Sequence, residues 1–236
     1  MGMKVALLTL ATMILCSGAV KADLTLVGVS GLIETPDDSI TPTNSVALTY
    51  GQVNDIAKSD YKVTTFGGMI GIMPNLEVGA VGFDSDNPGV KTRALANAKY
   101  RIMAESLEKP SVTIGVVDLF NQLEKYDSDI DTASAFVVVG KNITNIAEGV
   151  SGMISKPIRG TFGLGTGIYK GIFAGLSWAT APKFDVMVEY LSQGISDDST
   201  VNAALKFNAT KGVTIKAGTI DFDDFFVGAN YTLSTY

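Results

Sequence analysis

The chain has 236 residues, 46% of them hydrophobic and 18% charged, with a formal net charge of −6 and no histidine. Its one cysteine is Cys16, so disulfides and thiolate metal sites are excluded from everything after it, and imidazole acid–base or triad chemistry is excluded throughout. An acidic chain also has no electrostatic reason to seek nucleic acid.

Residues 1–22 read as a signal peptide. Lys4 supplies the positive start, Val5 to Leu15 the apolar run, and Val20-Lys21-Ala22 the small or aliphatic cleavage positions. The run is too short for a membrane helix, which needs about 20 residues. Leu15 is too bulky before Cys16 for a lipoprotein signal. Cleavage is expected after Ala22, with Ser17-Gly18-Ala19 as the alternative, and it leaves a chain of net charge −8. Residues 23–44 then form an N-terminal extended, plug-like segment. Within it Thr35-Pro36 fixes an extended entry or a plug at the periplasmic mouth, because Pro pushes its predecessor out of the helical region; a plain ordered linker is the alternative reading.

From residue 45 onward the hydrophobic pattern has period 2, the spacing of strands. It predicts twelve strands near 45–53, 61–72, 76–84, 90–102, 111–119, 133–141, 161–169, 171–180, 184–192, 200–208, 213–221 and 224–233. No proline interrupts them; Pro74, Pro88, Pro110 and Pro182 fall in turns. Tight connections at Met73-Pro74-Asn75, Thr180 to Lys183 and Ala209 to Gly212 alternate with longer acidic ones at 121–132 and 192–199. Two connections fit less well: a long link at 142–160, and a very tight one at Tyr169-Lys170-Gly171. The expected fold is all-β, a single antiparallel up-and-down transmembrane barrel over 45–236.

The two faces of each strand differ. In 184–192, Phe184, Val186, Val188 and Tyr190 oppose Asp185, Met187, Glu189 and Leu191; in 90–102, Lys91, Arg93, Lys99 and Arg101 share one face. A Lys or Arg facing lipid at mid-depth costs about 2–4 kcal/mol, so in a membrane the charged face looks inward. The expected lumen-lining residues are Glu77, Lys91, Arg93, Lys99, Arg101, Asp185, Glu189 and Lys206. A soluble barrel with reversed faces, binding an apolar ligand, has the same periodicity. Two features favour the membrane form. Tyr50, Tyr61, Tyr100, Trp178, Tyr190 and Tyr231 lie near strand ends, where interfacial girdles sit, and Gly228 to Leu233 has the Gly-x-x-aromatic-x-apolar form of an outer-membrane assembly signal.

Gly31-Leu32-Ile33-Glu34-Thr35-Pro36 resembles the opening motif of YjbH-type outer-membrane proteins. So do Leu76-Glu77-Val78-Gly79, Phe136 to Lys141 (with Gly140-Lys141 where Ser-Lys is more usual), Gly171 to Leu176 and Asp224 to Gly228. The resemblance implies an outer-membrane barrel linked to exopolysaccharide secretion.

The expected role is therefore structural or transport, including envelope or exopolysaccharide export, in the bacterial outer membrane. Its expected partners are outer-membrane lipid, the barrel-assembly machinery, and polysaccharide or export partners. No enzyme activity and no cofactor is expected. Glu77, Asp185 and Glu189 are the carboxylates to test against glycosidase chemistry, which needs two acids flanking one bond. The acidic clusters at 127–131 and 197–198 lack the ligand pattern of a calcium loop.

Overall fold

The computed structural model describes residues 23–54, 61–88, 91–125, 133–144, 157–193 and 199–234; the expected signal peptide and the acidic clusters at 127–131 and 197–198 lie outside them. Twelve strands follow in chain order: β1 (Ser45–Val53), β2 (Val63–Met73), β3 (Leu76–Ser85), β4 (Arg93–Met103), β5 (Ser111–Val117), β6 (Ser134–Asn142), β7 (Ile158–Gly165), β8 (Gly171–Ala181), β9 (Phe184–Leu191), β10 (Thr200–Thr210), β11 (Val213–Ile220) and β12 (Asp224–Ser234). Each pairs antiparallel with its chain neighbours, and β1 pairs with β12 from Ser45↔Ser234 to Val53↔Phe226, closing the barrel. Closure leaves no open sheet edge.

β1 starts and β12 ends at the same rim, together with the two-residue turns Pro74-Asn75, Pro182-Lys183 and Lys211-Gly212. We call this the turn end and the opposite rim the loop end. The chain departs from the expected strand limits around residue 166. β7 stops at Gly165, and Gly167–Tyr169 forms a single 3-10 turn. Gly167 and Gly171 take φ of 58° and 90°, which turns the chain and sends Tyr169 inward, 1% exposed. The Gly-x-Gly alternation of this stretch imitates a strand, so the tight connection expected at 169–171 is instead residues 166–170. β4 also begins later than expected, at Arg93.

The faces sort cleanly. Leu48, Phe66, Ile70, Ile114, Phe162, Leu176, Val186, Val188 and Leu205 are all exposed on the outside. By alternation, the described outward positions within strands carry only two charged residues, Asp84 and Lys141, each one residue from a strand's end. Tyr50, Tyr61 and Tyr190 stand near the loop end; Tyr100, Trp178 and Tyr231 stand near the turn end. Apolar exterior surface on this scale requires an apolar surrounding.

The interior is packed. Residues 24–36 are all buried inside the barrel and fold into turns rather than running extended. Leu24, Val27 and Val29 pack with Ala47, Met69, Val81 and Leu95, while Leu26, Leu32 and Ile33 pack with Met187, Ile220 and Phe226. Phe136, Tyr169 and Phe173 form an edge-and-tilt aromatic trio, with centroids 5.4 and 5.5 Å from Tyr169.

Trp178 is the chain's single tryptophan and is exposed on the outer face near the turn end. Its fluorescence in reconstituted bilayers should be quenched by phospholipid brominated near the headgroup and little affected by acrylamide in the aqueous phase. Strong acrylamide quenching without bromine quenching would contradict the outward face described above.

Candidate functional site

A buried irregular segment must find partners for its backbone N–H and C=O groups, or lose about 1–3 kcal/mol for each left unmet. Part of the need in 23–44 is met internally, by Thr25 N to Val29 O, Leu26 N to Ile33 O and Leu32 N to Thr35 O at 2.7, 2.8 and 3.0 Å. Gly28, at φ +91°, forms the tip of the first turn; a Cβ there would lie 2.8 Å from Val81 Cβ.

The remaining need is met by charged side chains of the wall. Glu189 of β9 accepts the N–H groups of Ile33, Glu34 and Thr35 at 3.1, 2.8 and 3.1 Å and the Thr35 hydroxyl at 2.7 Å. Glu77 of β3 accepts Ser30 N and Oγ at 3.1 and 2.5 Å and Thr41 N at 2.6 Å. Cations take the carbonyls. Lys216 Nζ donates to Leu24, Gly31 and Leu32 O at 3.0, 3.4 and 2.5 Å, and Lys99 Nζ donates to Ser30 O at 2.6 Å. Asn97 Nδ2 donates to Val27 O at 2.8 Å.

Two ionic clusters fasten the segment near the turn end. Asp23 accepts from Lys206 and Thr214, both at 2.7 Å, and Lys206 also meets Asp185 at 2.6 Å. Asp38 binds Arg159 and the Ser111 hydroxyl, and Arg159 meets Glu105 at 2.8 Å. Arg101 Nε donates to Asp38 O at 3.3 Å. Burial alone would raise the Asp23 carboxyl, but Lys206, Lys216 and Thr214 bring it down to about 2. Glu34 goes the other way: burial and the adjacent Glu189 carboxylate push it up to about 8, against the opposing hydrogen bond from Asn202 Nδ2.

The wall has room where the segment needs it. A Cβ on Gly140 would fall 2.0 Å from Asp38 Oδ1, on Gly175 2.3 Å from Leu32 Cδ1, and on Gly51 2.6 Å from Leu26 Cδ2. These inward glycines lie under three side chains of the segment.

Of the expected lumen residues, Glu77, Lys99, Arg101, Glu189 and Lys206 meet in this site, and Asp185 joins it through Lys206. Arg93 lies on the inward face of β4 away from these contacts. Lys91 precedes β4 and is exposed at the loop end, because the strand that would turn it inward has not yet begun. Sequence reasoning puts Asn97 and Asn202 on the inward face without naming them as site residues, and it missed Lys216 and Arg159 on the wall and Asp23, Glu34 and Asp38 on the segment. The period-2 rule reaches Lys216, flanked by Ile215 and Ala217. Arg159 was hidden because β7 begins earlier than its apolar pattern suggests. The carboxylates weighed against glycosidase chemistry, Glu77, Asp185 and Glu189, each bind the segment or a lysine.

No known protein family matches this chain, and no curated protein is similar to it in sequence. Among solved structures, a KdgM porin superposes with a TM-score of 0.51 at 11% identity, over 80% of this chain and 99% of the porin. A KdgM porin in complex with disordered oligogalacturonate gives 0.46 at 10% identity, over 81% and 99%. An outer-membrane channel from Pseudomonas putida F1 gives 0.37 at 9%, over 86% and 99%. The first likeness shows that the porin barrel and this barrel share a fold.

Two outcomes follow from the site. Glu189→Ala removes the charged acceptor of four hydrogen bonds from the segment and should weaken the segment's seat by about 3 kcal/mol, read as roughly 100-fold faster hydrogen–deuterium exchange at Ile33 to Thr35. Because the Glu34 pKa is raised when the segment is seated, the seated state keeps a proton that the released one loses above about pH 4.5. The seat is firmest below that pH and weakens as pH rises toward 8, by up to about tenfold in the release equilibrium per unit. Exchange corrected for intrinsic rates should follow this trend, and Glu34→Gln should flatten it.

Proposed function

We propose that this chain is an outer-membrane channel whose bore is closed by its own residues 23–44, with the turn end facing the periplasm and the longer loops facing outward. The observation that carries the reading is the division of faces. The outside is apolar and girdled by aromatic residues, and the inside holds the charges. A soluble barrel carrying an apolar ligand needs the opposite arrangement.

Eight of the twelve strands have the 9 to 11 residues that suit a tilted crossing of a bilayer, and irregular backbone at membrane depth is tolerated where protein encloses it. The shared porin fold supports transport as the general role. The finer assignment, membership in the YjbH-type proteins and a part in envelope or exopolysaccharide export, rests on the sequence resemblance. It agrees with a bore that its own segment fills and that opens only when the segment moves. The inward hydroxyls and amides, such as Thr113, Asn202 and Thr214, give a polymer of sugars hydrogen-bonding partners once the segment moves.

Planar-bilayer recording tests the reading. The wild-type barrel should be mostly closed, whereas Glu77→Ala/Glu189→Ala, which removes both carboxylates that hold the segment's N–H groups, should open frequently and at stepwise conductance. A double variant that inserts, releases its segment and still does not conduct would overturn the channel assignment.

A further inference from the structure

Residues 23–44 contain four acids, Asp23, Glu34, Asp37 and Asp38, and no basic residue. The wall answers with five cations that touch the segment: Lys99, Arg101, Arg159, Lys206 and Lys216. Removing the segment takes the Asp38 carboxylate from Arg159, Asp23 from Lys206 and Asp37, at 3.6 Å, from Lys99. Arg159 and Lys206 would keep one wall-side acid each, Glu105 and Asp185. The emptied bore would carry acid-shaped vacancies beside Arg159, Lys206 and Lys99, with the wall acids Glu77 and Glu189 also facing it.

One space beside these cations remains while the segment is seated. A cavity of about 190 Å³ lies between the segment and β7–β10, its lining largely apolar but bordered by Arg159, Lys206, Thr161 and Ser177 of the wall and by Asp23, Asp37 and Ser39 of the segment. A ligand carboxylate in this cavity lies beside both cations and can exchange for Asp38 or Asp23 one contact at a time. Its hydroxyls would meet Ser39, Thr161 and Ser177.

We propose that the acidic segment stands in for an acidic oligosaccharide, and that this cavity is where the first carboxylates of such a ligand bind before displacing it. The inference rests on the channel reading and adds the class of molecule that opens the bore. Neutral sugars have the hydroxyl partners but nothing to exchange for the segment's carboxylates. Acidic peptides have the carboxylates but not the hydroxyls that the Ser and Thr lining would bind.

The test uses the full mature chain in lipid nanodiscs, with a uronate hexasaccharide, maltohexaose and hexaglutamate as probes. The uronate should accelerate deuterium exchange of residues 24–38 by about tenfold or more at low salt. The effect should fade at high salt, where the Debye length falls to about 3 Å, and maltohexaose should do nothing. Arg159→Gln should weaken uronate binding by about tenfold even though it loosens the segment, because a cation that merely held the segment would, once removed, let a competitor bind better. Ser177→Met, which narrows the cavity while sparing the segment's bonds, should weaken it too. Glu189→Ala, which loosens the segment and keeps the cations, should strengthen it. Equal action by maltohexaose, action by hexaglutamate alone, no effect of uronate, or tighter uronate binding by Arg159→Gln would each overturn the proposal. Conductance recorded on the same samples separates the two readings. Displacement without conductance overturns the channel reading and leaves only the exchange of segment for acidic ligand. Conductance on segment release without preference for uronate overturns this inference alone.

Discussion

An irregular stretch of backbone enclosed by a barrel can persist only if each of its polar groups finds a partner there, and the wall must supply those that the stretch cannot supply itself. In this protein the partners are charges. Glu189 and Glu77 take N–H groups, and Lys216 and Lys99 take carbonyls. The same charges have their own requirement, because a buried ion without a partner is costly. An apolar exterior drives them inward, and the segment gives them something to bind. Wall and segment are each incomplete without the other.

This reciprocity explains features that otherwise look unrelated. Gly51, Gly140 and Gly175 weaken their strands as glycine does, yet each leaves space for Leu26, Asp38 or Leu32. Gly140 has no side chain, so the Asp38 carboxylate can reach Arg159 and Ser111. The contacts also differ in kind along the segment. Near the turn end they are ion pairs between side chains, which salt and competing ions weaken. Others, at both depths, are charge-to-backbone hydrogen bonds, as from Glu77 near the turn end and Glu189 further in, joined by apolar packing.

The strands were legible because period-2 alternation and proline placement report directly on pleat and turn, and the inward direction of Glu77, Lys99 and Glu189 followed from the cost of charge in lipid. Local patterns failed where local rules were broken. Gly163 to Gly167 alternates like a strand, but the chain turns at positive φ and carries Tyr169 inside. Lys91 obeys the alternation of β4 without belonging to it. What the wall charges bind was not legible, since pairing between residues 33 and 189 or 38 and 159 is a long-range fact. The compositional trace it leaves, an acidic stretch without a base after the expected cleavage site, acquires meaning only beside the wall.

The most direct test of the central claim is disulfide trapping of Leu32→Cys with Gly175→Cys in the full chain, which has no other cysteine after Cys16. Residue 32 of the segment lies against residue 175 of the inner wall. In native membranes the pair should oxidise almost completely, and the linked barrel should stay shut in bilayer recordings until a reductant is added. A pair that stays reduced in a folded barrel, or a linked barrel that conducts like the unlinked one, would contradict the account.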